Sequence, residues 1–148
     1  MMARALLASA FLWPILLASG WWVRAGGQPA DAGWSALVYA AASHVCHQRP
    51  ERSFQTAGTQ WPVCGRCSGL YLVAPVGAVF GIFAPRRWRG SLRGWLAAGA
   101  IPTAMTIGLE WAGLPVSSGV RAVAAAPLGA IVATVIVRTA AGRADSIK

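Results

Sequence analysis

Apolar residues in this chain fall into long runs rather than into an alternating or one-faced pattern. Four runs dominate, at residues 5–23, 63–84, 95–114 and 120–141. As a helix rising about 1.5 Å per residue, the first reaches about 28 Å, enough to cross the hydrocarbon core of a bilayer. Pro14 falls inside it and is a candidate kink. A fifth run, 34–45, is too short to span and predicts a helix lying at, or dipping into, the outer interface. Between the first and second long runs lies an outer loop, 24–62. Its residues 26–33 are turn-rich, and 50–62 read as polar and irregular. Gly, Ala, Ser and Thr are dense in the last three runs, which suits close helix packing. The expected fold is all-α. It is a single-domain polytopic membrane bundle of about four transmembrane helices plus a short outer interfacial helix.

Composition supports a membrane setting. The 148 residues are 56% apolar and 11% charged, against about 25% charged in a typical soluble domain. Net charge is +9 and there are eight tryptophans; basic and Trp side chains together suit the water–lipid boundary. The basic residues sit between apolar spans, not on a soluble face, which argues against nucleic acid as a partner. The partner that composition implies is the lipid bilayer.

Charge placement orients the bundle. Arg86, Arg87, Arg89 and Arg93 lie between the second and third spans with no acid among them, and Arg143 and Lys148 follow the fourth. Under the positive-inside rule these segments face the cytoplasm. Arg4 precedes the first span, which ends in Trp21-Trp22. The alternative for this segment is a cleaved signal peptide with its site near Val23-Arg24-Ala25. Both readings leave residue 26 outside the cytoplasm. The expectation is a multi-pass inner-membrane protein with both termini cytoplasmic. Residues 24–67, Glu110 and Arg121 then share its outer face.

The chemistry gathers on that face. All three cysteines, Cys46, Cys64 and Cys67, fall within 22 residues, together with His47. Thiolates and imidazole are the soft ligands of zinc and related metals, and a Cys-x-x-Cys pair can direct two sulfurs at one ion. Candidate ligands are therefore Cys46, Cys64, Cys67 and one of His44 and His47. Adjacent ligands such as Cys46 and His47 strain a single ion, which favours His44. If neither histidine ligates, the fourth position is open, as in catalytic zinc sites. His47, Glu110 and Arg121 are then candidate catalytic groups. Arg49 and Arg52 are candidates for holding a lipid-linked or other small anionic substrate.

At these residues the chain resembles a family of small prokaryotic membrane proteins called domain of unknown function 2085. The motifs that carry the likeness are Cys46-His47-Gln48, Pro50-Glu51-Arg52-Ser53-Phe54 and Pro62-Val63-Cys64-Gly65-Arg66-Cys67-Ser68-Gly69-Leu70-Tyr71. Glu110 and Ser118-Gly119-Val120-Arg121 match later elements, although family members often carry Asp where Glu110 stands. The resemblance extends over about residues 44–137. It favours His47 over His44 at the cluster and implies no particular activity.

Other readings of the cluster stay open. Cys64-Gly65-Arg66-Cys67 has redox spacing, and Arg66 with a helix N-terminus would lower a thiol pKa. This makes a thiol–disulfide oxidoreductase coupled to a membrane quinone the alternative function. Such relays usually use a second cysteine pair, and here only Cys46 remains. The cluster also suits a structural zinc knot or disulfide that holds the outer loop to the bundle, and the chain an accessory subunit without chemistry of its own. Glu110 and Arg121 also suit a simple charge pair across a helical hairpin, and Gln48 and Ser53 suit backbone capping in the loop.

Overall fold

The computed structural model describes residues 2–27, 32–83 and 92–145. Arg86, Arg87, Arg89 and Lys148, on which the inside assignment drew, lie outside the described residues. The chain forms helices α1 (Met2–Gly26) and α2 (Ala32–Ser43), a 3-10 turn (Pro50–Arg52), and strands β1 (Ser53–Thr56) and β2 (Thr59–Cys64). Helices α3 (Gly65–Phe83), α4 (Leu92–Trp111) and α5 (Ser118–Asp145) follow. Each long apolar run became a helix, and the short run became α2.

Residues 50–62 differ from expectation. They carry the turn and a two-stranded antiparallel hairpin rather than irregular chain, so the fold is mostly but not wholly α. Thr56 pairs with Thr59 across Ala57 (φ 52°) and Gly58 (φ 70°). Two successive positive φ angles make the tight turn whose twist matches paired strands. Ala at the first of these positions hides the turn from a sequence reader, because Asn or Gly is its usual mark. Packing compensates: Trp61 lies 5.8 Å from Phe54 and 5.7 Å from Trp21 at the end of α1, ring centre to ring centre. The hairpin also absorbs Val63 and Cys64, so the second long helix begins at Gly65 rather than at 63.

Small residues set the bundle. A Cβ on Gly65, Gly69 or Gly77 would collide with the carbonyl oxygens of Ser118, Ala122 and Ala130. On Gly81 it would lie 2.7 Å from that of Thr134. The contacts advance together along both chains, so α3 and α5 run parallel with backbones nearly touching. Thr134 seals the contact by donating to the Gly77 carbonyl at 2.8 Å. Helix α4 lies antiparallel on α5: Glu110 meets Arg121, Thr103 donates to the Ala124 carbonyl at 3.0 Å, and Gly99 faces Leu128 and Ile131. Helix α1 runs antiparallel to α3. Its Leu6, Leu7 and Ala10 pack on Ala78, Ala133 and Val137, and its Trp13 stands edge-on to Tyr71 at 6.0 Å. Gly20 leaves room for Val38, which lets α2 lie against α1.

Leu12, Ile15, Leu72, Val76, Phe80, Met105 and Val123 are exposed along these helices. That is the surface expected of a protein solvated by lipid. Among the described residues, three helical stretches are long and apolar enough to cross a membrane: Met2–Gly26, Gly65–Phe83 and Ser118–Gly142. Helix α4 has 20 residues and is not among these stretches; Arg93, Trp95, Glu110 and Trp111 stand near its ends.

Candidate functional site

The end of the bundle that carries the hairpin also gathers the cysteines and the candidate polar residues. After α2 the chain turns at 44–45 and continues without regular structure through 46–49, with a positive φ of 50° at Gln48. The Gln48 amide donates to the Tyr39 and Pro62 carbonyls, each at 2.8 Å, and the Gln48 carbonyl accepts from Gln60 Nε2 at 2.6 Å. The Tyr39 hydroxyl donates to the Gln60 carbonyl. Ser53 donates to the Arg49 carbonyl at 2.9 Å. Gln48 and Ser53 therefore satisfy backbone groups that a tight buried loop would otherwise leave unpaired.

This stitching lays Cys46 against the end of β2. Cys64 closes that strand, and Cys67 sits in the first turn of α3. The three thiols are free, and their sulfur atoms all lie within 4.8 Å of one another. Cys46 is buried and the other two are half-buried. No histidine nitrogen joins this group among the described residues. His47 is exposed on the wall of the adjoining cleft, and His44 is exposed and does not line it.

A hydrogen bond from the Cys67 thiol is the main reason the Cys64 thiol is lowered to about 5. The backbone N–H groups of Cys67 and Arg66 and the Cys46 side chain add to this, and burial opposes it. Cys64 is thus a thiolate at neutral pH, the form that binds metal and attacks electrophiles.

Across the cleft stands a second cluster. Glu110 Oε1 accepts from Arg66 Nη2 and from Arg121 Nε, both at 2.7 Å, and Arg52 Nη2 lies 3.8 Å from Oε2. Arg66 Nη2 also reaches Thr106 Oγ1 at 3.4 Å, and Arg121 Nη1 donates to the Glu51 carbonyl at 3.3 Å. Arg121 is buried, and its side chain is only 9% exposed. Helix packing brings these groups together. The contact of Gly65 with Ser118 puts the first turns of α3 and α5 side by side, and the α4–α5 turn returns Glu110 to them. Arg49 stands further out, 3.9 Å from Glu51 in an exposed pair.

The two clusters share one cleft of about 430 Å³. Cys46, Cys64 and Cys67 line it together with Arg49, Arg52, Arg66, Arg121 and His47. Arg66 was read from sequence only as a modifier of thiol acidity. Its pairing with Glu110 is the contact that reading missed, and Thr106 was missed with it. A signal existed: an acid near the end of an apolar span needs a basic partner, and Arg66 opens a neighbouring span.

Fold and site together define a helical membrane protein with a three-cysteine cluster beside an arginine-lined cleft at one end of its bundle. The chain belongs to the family named domain of unknown function 2085, described as a predicted membrane protein, whose family model matches residues 46–136. An uncharacterized protein of Methanothermobacter thermautotrophicus is 52% identical over 31 residues, covering 21% of this chain and 28% of that protein. An uncharacterized protein of Methanocaldococcus jannaschii is 44% identical over 45 residues, covering 30% and 29%. The matched part of this chain spans less than a third of the length of either relative. No solved structure matches the chain.

Proposed function

We propose that Cys46, Cys64 and Cys67 hold a single zinc ion whose fourth position faces the arginine-lined cleft, and that the cleft takes an anionic, membrane-linked substrate. The observation that carries this reading is the placement of three free sulfurs within 4.8 Å of one another on the wall of that cleft. Tetrahedral coordination at about 2.3 Å per Zn–S bond separates ligand sulfurs by about 3.8 Å, which small side-chain shifts from this arrangement would reach. Zinc so held supplies Lewis acidity toward an oxygen of the bound anion. The protein's own groups have distinct parts. The arginines bind and orient the anion, Glu110 holds their guanidinium heads in place, and His47 is the exposed group available to accept or deliver a proton.

We place this site at the outer face of the inner membrane, with four spans and both termini cytoplasmic. The parallel run of α3 and α5 supports the four-span count. Two adjacent spans can point the same way only if the chain between them returns across the bilayer, and α4 is long enough at about 30 Å to do so.

A second reading is dithiol oxidation. The low pKa of Cys64 beside Cys67 favours it. Oxidation of the pair to a disulfide would pass two electrons to a quinone, with one proton released by Cys67 and the second drawn from water. One measurement separates the two: metal content and free-thiol count on detergent-purified protein made without reductant. The zinc reading expects about one zinc per chain and thiols that react only after chelation or denaturation. Absence of metal with Cys64 and Cys67 oxidised would overturn it in favour of redox chemistry.

A further inference from the structure

Glu110 neutralises only part of the charge that surrounds it. Four arginines line the cleft, two carboxylates, Glu110 and Glu51, pair with them, and Cys64 is a thiolate, leaving 4 − 3 = +1. A zinc ion on three thiolates would carry −1 in place of that thiolate and again leave +1, so the cleft is positive in either state. Much of this charge is withdrawn from water: the side chains of Arg66 and Arg121 are 18% and 9% exposed. Uncompensated buried charge is costly, and an anionic ligand relieves it.

The directions of the donors narrow the class. Arg52, Arg66 and Arg121 come from three separate elements: the 3-10 turn, α3 and α5. They surround Glu110 rather than stacking along one edge. Arg66 Nε is buried and has no hydrogen-bond partner. A second carboxylate could offer only two oxygens in one plane. A tetrahedral phosphoryl group offers three or more, in directions that separate guanidinium forks can reach. The cleft lies at the first turns of α3 and α5, at the ends of two helices long and apolar enough to cross a membrane, and the ends of spanning helices meet the headgroup region of a bilayer. Its volume of about 430 Å³ exceeds what one phosphoryl group fills and leaves space for the group that bears it.

We infer that Arg52, Arg66 and Arg121, aligned by Glu110 as their internal counter-ion, form a site for a phosphoryl group, carried by a lipid headgroup or a free phosphate ester. This deepens the anionic half of the function proposed above and does not require the metal.

The test is calorimetric titration of the detergent-purified full chain, with zinc content measured on the same samples. The probes are glycerol 1-phosphate, dihexanoyl phosphatidic acid, and succinate as a carboxylate control. The phosphate probes are expected to bind at least about tenfold more tightly than succinate. Arg52→Gln, whose side chain is 41% exposed and whose loss should leave the fold intact, is expected to weaken them by about tenfold. Tighter binding of phosphatidic acid than of glycerol 1-phosphate supports the site with a lipid as its source, and the reverse order supports it with a free ester. Phosphate binding that persists in zinc-free protein supports the site and counts against the metal alone. Equal binding of succinate, an Arg52→Gln variant that binds unchanged, or zinc-loaded protein that binds no phosphate probe would overturn the inference.

Discussion

The backbone N–H of Cys64 points at the sulfur of Cys46, 3.2 Å away. One hydrogen bond thus joins the segment leaving α2 to the strand entering α3, residues 18 apart in sequence. With the Cys67 thiol also donating to Cys64, the cluster is pre-formed by the fold, so a ligand does not have to assemble it. Pre-organisation of this kind lowers the cost of binding.

Thiol reactivity should report the Cys64–Cys67 contact. Because the Cys64 pKa is lowered, its thiolate predominates once pH exceeds about 5. In metal-free protein, alkylation of Cys64 by iodoacetamide, followed by peptide mass spectrometry, should be nearly flat between about pH 6 and 8. Cys67→Ala removes the principal cause and should move the rise toward the ordinary value of 9.0. A wild-type rate that climbs steadily over that interval would contradict the assignment. Added zinc should suppress the reaction.

Removing the charge of Glu110 should expose the cost of its arginines. Glu110→Gln leaves Arg66 and Arg121 largely buried without a counter-charge, and should destabilise the protein by about 3 kcal/mol. Glu110→Asp keeps the charge and should recover part of that loss. Thermal unfolding of the two variants side by side decides it; equal midpoints would mean that the carboxylate charge is not what holds this cluster.

Backbone contact between α3 and α5 makes Gly69 intolerant of even a methyl group. Gly69→Ala places a Cβ against the Ala122 carbonyl and should cost about 1–3 kcal/mol as the helices move apart. Gly108 has open space around it, so Gly108→Ala should be neutral or mildly stabilising in the same thermal assay. If both substitutions behave alike, the close approach of the two helices is wrong.

The chain contains a single lysine, Lys148, which makes topology directly readable. With intact cells and a membrane-impermeant amine reagent, Gln55→Lys in β1 and Ala112→Lys after α4 should each gain a label, while Lys148 stays unlabelled. Labelling at 55 but not at 112 would mean that α4 does not return across the membrane. Labelling at Lys148 would break the shared-face arrangement.

The sequence alone determined the number of long helices, their approximate bounds and the place of the cysteine cluster. Those are local properties: an apolar run must satisfy its own backbone bonds in lipid, which makes it a helix, and thiols close together in sequence cannot stray far apart. Its limits were equally physical. The hairpin at 53–64 rests on a positive-φ alanine and on rings from distant segments, neither visible in a window of neighbouring residues. The grip of Arg66 and Arg121 on Glu110 depends on helix rotation and register, set by where Gly65, Gly69 and Gly77 let α3 meet α5. A shift of one residue would turn each of those side chains through about 100° and dissolve the site. The hydrogen bonds of Gln48 and Gln60, made across the loop, decided that the third partner of Cys64 and Cys67 is Cys46, with both histidines outside the sulfur cluster.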